Sequence, residues 1–142
     1  PHRIFGPGGF PVIAGGAPRT YFAGAFMGGE TKINILHNNL SILQDGTVPK
    51  FVDEVFKVVF SGREAIKFHK EILYVTERAV FRLTNEGLVL EEIAPGIDLD
   101  NDVLSKMQFR TIVKSSLSAM DEKLFIEGKM GLGDEIMQIF RR

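Results

Sequence analysis

Alternation of apolar and polar positions divides the chain into short extended runs joined by turns, with brief helical stretches between them. Lys32-Ile33-Asn34-Ile35-Leu36 alternates, His37-Asn38-Asn39 interrupts, and Leu40-Ser41-Ile42-Leu43 resumes. Paired asparagines tolerate the positive φ of a tight turn, so this segment is predicted to be a β-hairpin. A second hairpin is expected from Ala79 to Thr84 and Leu88 to Ile93 around Asn85-Glu86-Gly87, closed by Ala94-Pro95-Gly96.

Residues 5–29 read as glycine-rich loops around one β-rich run, Arg19 to Phe26. Val55-Phe56-Lys57-Val58-Val59-Phe60 is β-branched and aromatic and bounded by turn signals, the pattern of a largely buried strand. Ser61 is a candidate N-cap for a short helix over Arg63 to Lys70, with Ala65 and Phe68 on one face, leading into a strand at Ile72 to Thr76. A helix capped by Asp100 is expected to bury Val103, Leu104 and Met107, with Leu99 and Leu104 as a hydrophobic staple. Thr111-Ile112-Val113 predicts one more strand, and Asp134 to Arg142 an amphipathic tail. These elements make an α/β arrangement that looks incomplete as a domain.

Length and composition fit one domain over residues 1–142. At 142 residues, 44% hydrophobic and 25% charged, the chain matches ordinary soluble globular proteins. Its 17 Lys+Arg nearly cancel 18 Asp+Glu, which offers no field for nucleic acid or an anionic membrane. No apolar run approaches the roughly 18 residues of a membrane span, and the expected compartment is the cytoplasm. The absence of cysteine excludes disulfides and thiolate chemistry within the chain and fits a reducing compartment. A start at Pro1-His2-Arg3, opening directly into a glycine-rich loop, reads as a piece of a longer polypeptide.

Few motifs carry chemistry. Asp98-x-Asp100-x-Asp102 imitates a calcium loop, but Val103 replaces its obligatory Gly and Phe109 its bidentate Glu, so the carboxylates read as a helix start. His2, His37 and His69 lack metal-ligand spacing, and no metal site is expected. Glu77, beside Arg78 within an apolar stretch, reads as structural rather than catalytic. Gly6-Pro7-Gly8-Gly9-Phe10 stands apart: adjacent glycines let backbone N–H groups approach a ligand that a Cβ would push away, and two such donors can hold an oxyanion. A plain tight turn is the competing reading.

Several phrases in order resemble the family I CoA-transferases, the group of propionate, acetate and short-chain 3-oxoacid CoA-transferases. They are Gly6-Pro7-Gly8-Gly9-Phe10, Phe22-Ala23-Gly24, Leu73 to Phe81, Glu86-Gly87-Leu88, Ile93 to Leu99, and Met120-Asp121 with Leu124-Phe125 and Gly131-Leu132. The resemblance is to the end of the β-type half. It implies a portion of an open, mainly parallel sheet with hairpins and short helices.

It also implies an acyl-CoA:carboxylate exchange through a glutamyl-CoA thioester, with coenzyme A as substrate and no permanently bound cofactor. The family's nucleophilic glutamate precedes the GxGG loop, so no catalytic residue is expected within this chain, and the chain by itself is expected to be inactive. Gly6, Gly8 and Gly9 correspond to the GxGG segment beside the thioester. Where the family commonly has Asp two residues after the hydrophobic residue closing the loop, this chain has Val12. Implied partners are the missing N-terminal part or α-type half, an acyl-CoA and a carboxylic acid, and further copies in a homo-oligomer. Two alternatives remain: a non-catalytic packing or acyl-CoA-binding module, and hydrolysis of acyl-CoA by the same fold.

Overall fold

The computed structural model describes residues 6–140; Pro1-His2-Arg3 and the closing Arg141-Arg142 lie outside the described residues. In chain order the elements are α1 (Phe10–Gly16), β1 (Arg19–Ala23), β2 (Met27–Gly28), β3 (Lys32–Leu36), β4 (Asn39–Gln44), β5 (Val48–Pro49), α2 (Gly62–Lys67), β6 (Glu71–Val75), β7 (Ala79–Thr84) and β8 (Gly87–Ile93). A π-helical turn (Leu99–Val103) runs into a 3-10 turn (Leu104–Lys106), followed by β9 (Ile112–Ala119), a 3-10 turn (Glu122–Phe125) and α3 (Leu132–Phe140).

Five strands form an open sheet in the order β1-β6-β7-β8-β9. The β1–β6 and β8–β9 pairings are parallel, and the two between them are antiparallel hairpins. Strand β7 is central and buried on both faces. Ala79 and Phe81 join one core with Phe26, Leu90, Val103 and Met107, while Val80 joins the other with Leu40, Ala94, Met120 and Phe125. This is the period-two division of a strand between two layers.

The β6–β7 turn is tied by one hydroxyl. Thr76 Oγ1 accepts from the amides of Arg78 (3.3 Å) and Ala79 (3.0 Å) and donates to the Ala79 carbonyl at 2.8 Å. The β3–β4 hairpin docks against the turn after β8, where the Leu40 amide donates to the Pro95 carbonyl at 2.7 Å.

Both hairpins form as the alternation requires, but several local expectations shift. The first turn centres on His37 and Asn38, with φ of 50° and 60°, rather than on the asparagine pair. Asn39 instead begins β4, and its side-chain amide donates to the His37 carbonyl at 2.8 Å. Residues 10–16 form α1, an unexpected helix, because Pro11 fits the first turn and outweighs Gly15 and Gly16 at the exit.

Ser61 caps α2 through the Glu64 amide (3.3 Å), yet Phe68 lies outside the helix and is exposed, unlike buried Ala65. The helix expected at Asp100 begins one residue earlier and is a π-helical turn. Asp98 caps it through the Asn101 amide (2.7 Å), while Asp102 reaches back to the Asp98 amide (2.9 Å). Strand β9 continues well beyond Val113, to Ala119.

The strand expected at Val55–Phe60 does not form. Residues 55–60 are irregular, and Val55, Phe56 and Val58 are exposed. β-branched and aromatic composition favours a strand only where a neighbour presents its backbone, and no described strand does so here.

Gly96 closes the second hairpin at φ +86°, and a Cβ there would stand 2.6 Å from the Leu40 carbonyl oxygen. Gly96→Ala is therefore expected to destabilise the protein by more than about 1 kcal/mol, seen as a lower denaturation midpoint. Gly133→Ala, placed in open space within α3, should leave the midpoint unchanged or raise it.

Candidate functional site

The glycine turn owes its shape to backbone freedom. Gly8 adopts φ +57°, a region that disfavours any side chain, and Gly9 is the N-cap of α1. The Phe10 amide closes the turn on the Pro7 carbonyl (3.3 Å), and the Ile13 amide bonds the Gly9 carbonyl (3.0 Å). Among the described residues, the amides of Gly6, Gly8 and Gly9 donate to no backbone carbonyl. All three glycines are exposed, and none lines the groove beside Phe22 or the crevice between α1 and residues 59–61.

Two contacts hold α1 and hence the turn. The Phe10 ring packs against Phe22 (5.8 Å between centroids) and Phe60 (6.5 Å). At the other end, Lys70 Nζ donates to the Ala14 carbonyl at 3.3 Å and to that of Gly15. A cation on terminal helix carbonyls also opposes their negative dipole end.

Phe22 stacks on Tyr74 at 5.0 Å, and both line an open groove of about 540 Å³. Its floor is apolar, from Phe51, Leu83, Leu88 and Phe109, with Ala23-Gly24-Ala25 along one rim. Lys50 at this rim donates to the Ala25 carbonyl at 2.8 Å. Burial pushes the Tyr74 phenol above its ordinary range, keeping it neutral. Sequence reasoning missed this groove; its signal was the recurrence of aromatic residues at the ends of separate strands.

Beside the groove lies a charged cluster. Arg78 is fully buried, and its guanidinium donates to Asp45 Oδ1 (2.9 Å) and Oδ2 (3.2 Å), to Glu77 Oε1 (2.9 Å) and to the Asp102 carbonyl (3.0 Å). Its face also lies 4.9 Å from the Phe26 ring. Glu77 Oε2 accepts the Phe26 amide at 2.7 Å, so both Glu77 oxygens are engaged in holding this cluster together. His37 and His69 are turn residues of positive φ, and His2 lies outside the described residues.

No protein-family model matches this chain. Nearly all of it nonetheless corresponds in sequence and fold to one segment of the CoA-transferases. It is 43% identical over 129 residues to acetate CoA-transferase YdiF of Escherichia coli (strain K12), covering 91% of this chain and 24% of that protein. It is also 43% identical over 135 residues to caffeate CoA-transferase of Acetobacterium woodii, covering 95% of this chain and 25% of the relative. The crystal structure of the acyl-CoA transferase YdiF from Escherichia coli O157:H7, as a thioester complex with CoA, superposes with a TM-score of 0.87 at 43% identity. That match covers 91% of this chain and 25% of the solved one. The chain thus spans about a quarter of the length of the relatives it matches.

Hydrogen bonds from Arg78 hold the Asp45 carboxyl below its ordinary range, against the opposing effect of burial. A depressed folded-state value stabilises the protein above about pH 3.9, the unfolded Asp value, and that contribution is lost as pH falls through the folded-state value. Asp45→Asn is expected to lower stability at pH 6, with the gap from wild type narrowing toward pH 3 in urea unfolding.

Proposed function

We propose that the full-length protein is an acyl-CoA:carboxylate CoA-transferase whose glutamate nucleophile lies in polypeptide preceding residue 1. The observation that carries this reading is the 43% identity across nearly the whole chain, joined to a TM-score of 0.87 against an acyl-CoA transferase solved as a CoA thioester complex. The glutamate carboxylate attacks the thioester carbon and expels CoA thiolate, leaving a mixed anhydride. The thiolate then attacks the glutamyl carbonyl, forming the enzyme thioester and releasing the first acid. An acceptor carboxylate reverses these steps and leaves with the CoA.

The residues of this chain assigned to that reaction are Gly6, Gly8 and Gly9. Backbone amides of this turn donate to the oxygen of each tetrahedral species. Supporting this role are the left-handed Gly8, the open space where Cβ atoms would stand at Gly6 and Gly8, and amides that no described carbonyl accepts. Donors fixed before the reaction need no reorganisation as charge develops. Working partners are the preceding polypeptide or an α-type half, an acyl-CoA, a carboxylic acid and further copies of the enzyme, in the cytoplasm.

Incubation of the full-length protein with acetyl-CoA should give a protein heavier by one CoA less one water in intact-mass spectra. Absence of any such adduct would overturn the assignment. The 142-residue chain alone should show no exchange.

Gly9→Ala tests the turn itself. The added methyl meets only Ile13 Cδ1 at an ordinary 3.6 Å, so folding should be retained. Exchange in the full-length enzyme is expected to fall roughly 10²-fold, the cost of displacing a substrate by about 1 Å. An unchanged rate would remove the turn from the chemistry.

A further inference from the structure

Residues 55–60 pose a problem that the exchange reaction does not absorb. The sequence Val55-Phe56-Lys57-Val58-Val59-Phe60 has strand composition, yet among the described residues no backbone hydrogen bond joins it to another segment. Phe56 is 108% exposed and Val58 67%. Aromatic and β-branched side chains side by side in water mark a contact surface rather than an ordinary loop.

The surroundings extend the surface. Phe60 turns inward onto Phe22 (5.4 Å), and Val59 and Phe60 share a crevice with Pro11 of α1 and Phe68. On α1 itself, Val12 and Ile13 are exposed at 79% and 71%. Beside the edge strand β1, the unpaired backbone of 55–60 therefore adjoins α1 at Val59 and Phe60, and both segments carry uncovered apolar side chains on this face.

We infer that this face is where polypeptide preceding residue 1 docks, with residues 55–60 pairing as a strand against it. The inference rests on the reading of the chain as one segment of a longer CoA-transferase. Two observations select this occupant over a second copy. Three quarters of each relative's length lies outside the matched region, which supplies ample chain to cover the face. The first described helix, α1, borders the same crevice through Pro11 and Gly15, so chain leading into residue 10 arrives beside it. An extended segment added here would satisfy the unpaired amides and carbonyls of 55–60 and bury Phe56 at once, as strand addition does.

The test is photocrosslinking of full-length protein carrying Phe56→p-benzoylphenylalanine, prepared as a mixture of isotopically light and heavy copies. The expected product is an intramolecular link between position 56 and a peptide preceding residue 1. Links joining light to heavy copies, links confined to residues 1–142, or no link would each overturn the inference. Wild-type full-length protein should also show amide exchange at 55–60 slowed to the level of β6; exchange as fast as an open loop would count against it equally. Intact mass after acetyl-CoA is read on the same crosslinking sample. A CoA adduct without the upstream link refutes the docking and leaves the catalytic reading standing, whereas the link without an adduct does the reverse.

Discussion

The buried guanidinium of Arg78 is the constraint around which the described structure is arranged. A charge taken out of water is tolerated only when its donors meet acceptors, and the acceptors of Arg78 come from separate parts of the chain. Asp45 arrives from beyond β4, Glu77 from the β6–β7 turn, and the Asp102 carbonyl from the π-helical turn, while Phe26 covers the flat face of the group. One side chain therefore fixes the hairpin layer, the main sheet and the helical turn relative to one another. Loss of any acceptor would leave charge or a donor unmatched on a guanidinium that is fully buried.

That constraint reaches the candidate site through Phe26. Its amide is held by Glu77, and its ring stacks on Phe51 at 4.8 Å, which in turn floors the groove. Ala23, Gly24 and Ala25 are thus pinned between strand β1 and a residue locked to the charged cluster. Burial then falls away toward β1 and α1, where aromatic contacts hold α1 and Val12, Ile13 and Phe56 face solvent. The molecule is well supported at β7 and β8 and least self-sufficient on the side where its glycine turn sits.

The sequence made legible what short periodicity controls. Both hairpins and the Ser61 cap follow from alternation and turn chemistry that act within a few residues. Where a boundary depended on which of several similar residues capped a turn, local reading drifted: Asp98, Asp100 and Asp102 all suit a helix start, and only reciprocal hydrogen bonding selects Asp98. Asp45 was invisible because its partner is 33 residues away. The strand reading of Val55–Phe60 failed for a related reason, since a strand is a property of two segments and its partner is not among the described residues. The glycine turn was legible as a candidate because its chemistry is carried by missing side chains, a feature that sequence displays directly.

Placement of that turn also bears on why a nucleophile and its oxyanion donors would sit on different parts of a polypeptide. Donors must be immobile to stabilise a developing charge, whereas an attacking carboxylate must first reach a thioester and then become one itself. Here the turn is fixed at both ends of α1, by Phe10 against Phe22 and Phe60 at the start and by Lys70 on the carbonyls of Ala14 and Gly15 at the exit. Neither anchor occupies the glycine amides, so the same contacts that immobilise the turn leave its donors available. Under the proposed reading such an arrangement would supply the anchored donors of the site, with the reacting carboxylate brought to them by the preceding polypeptide.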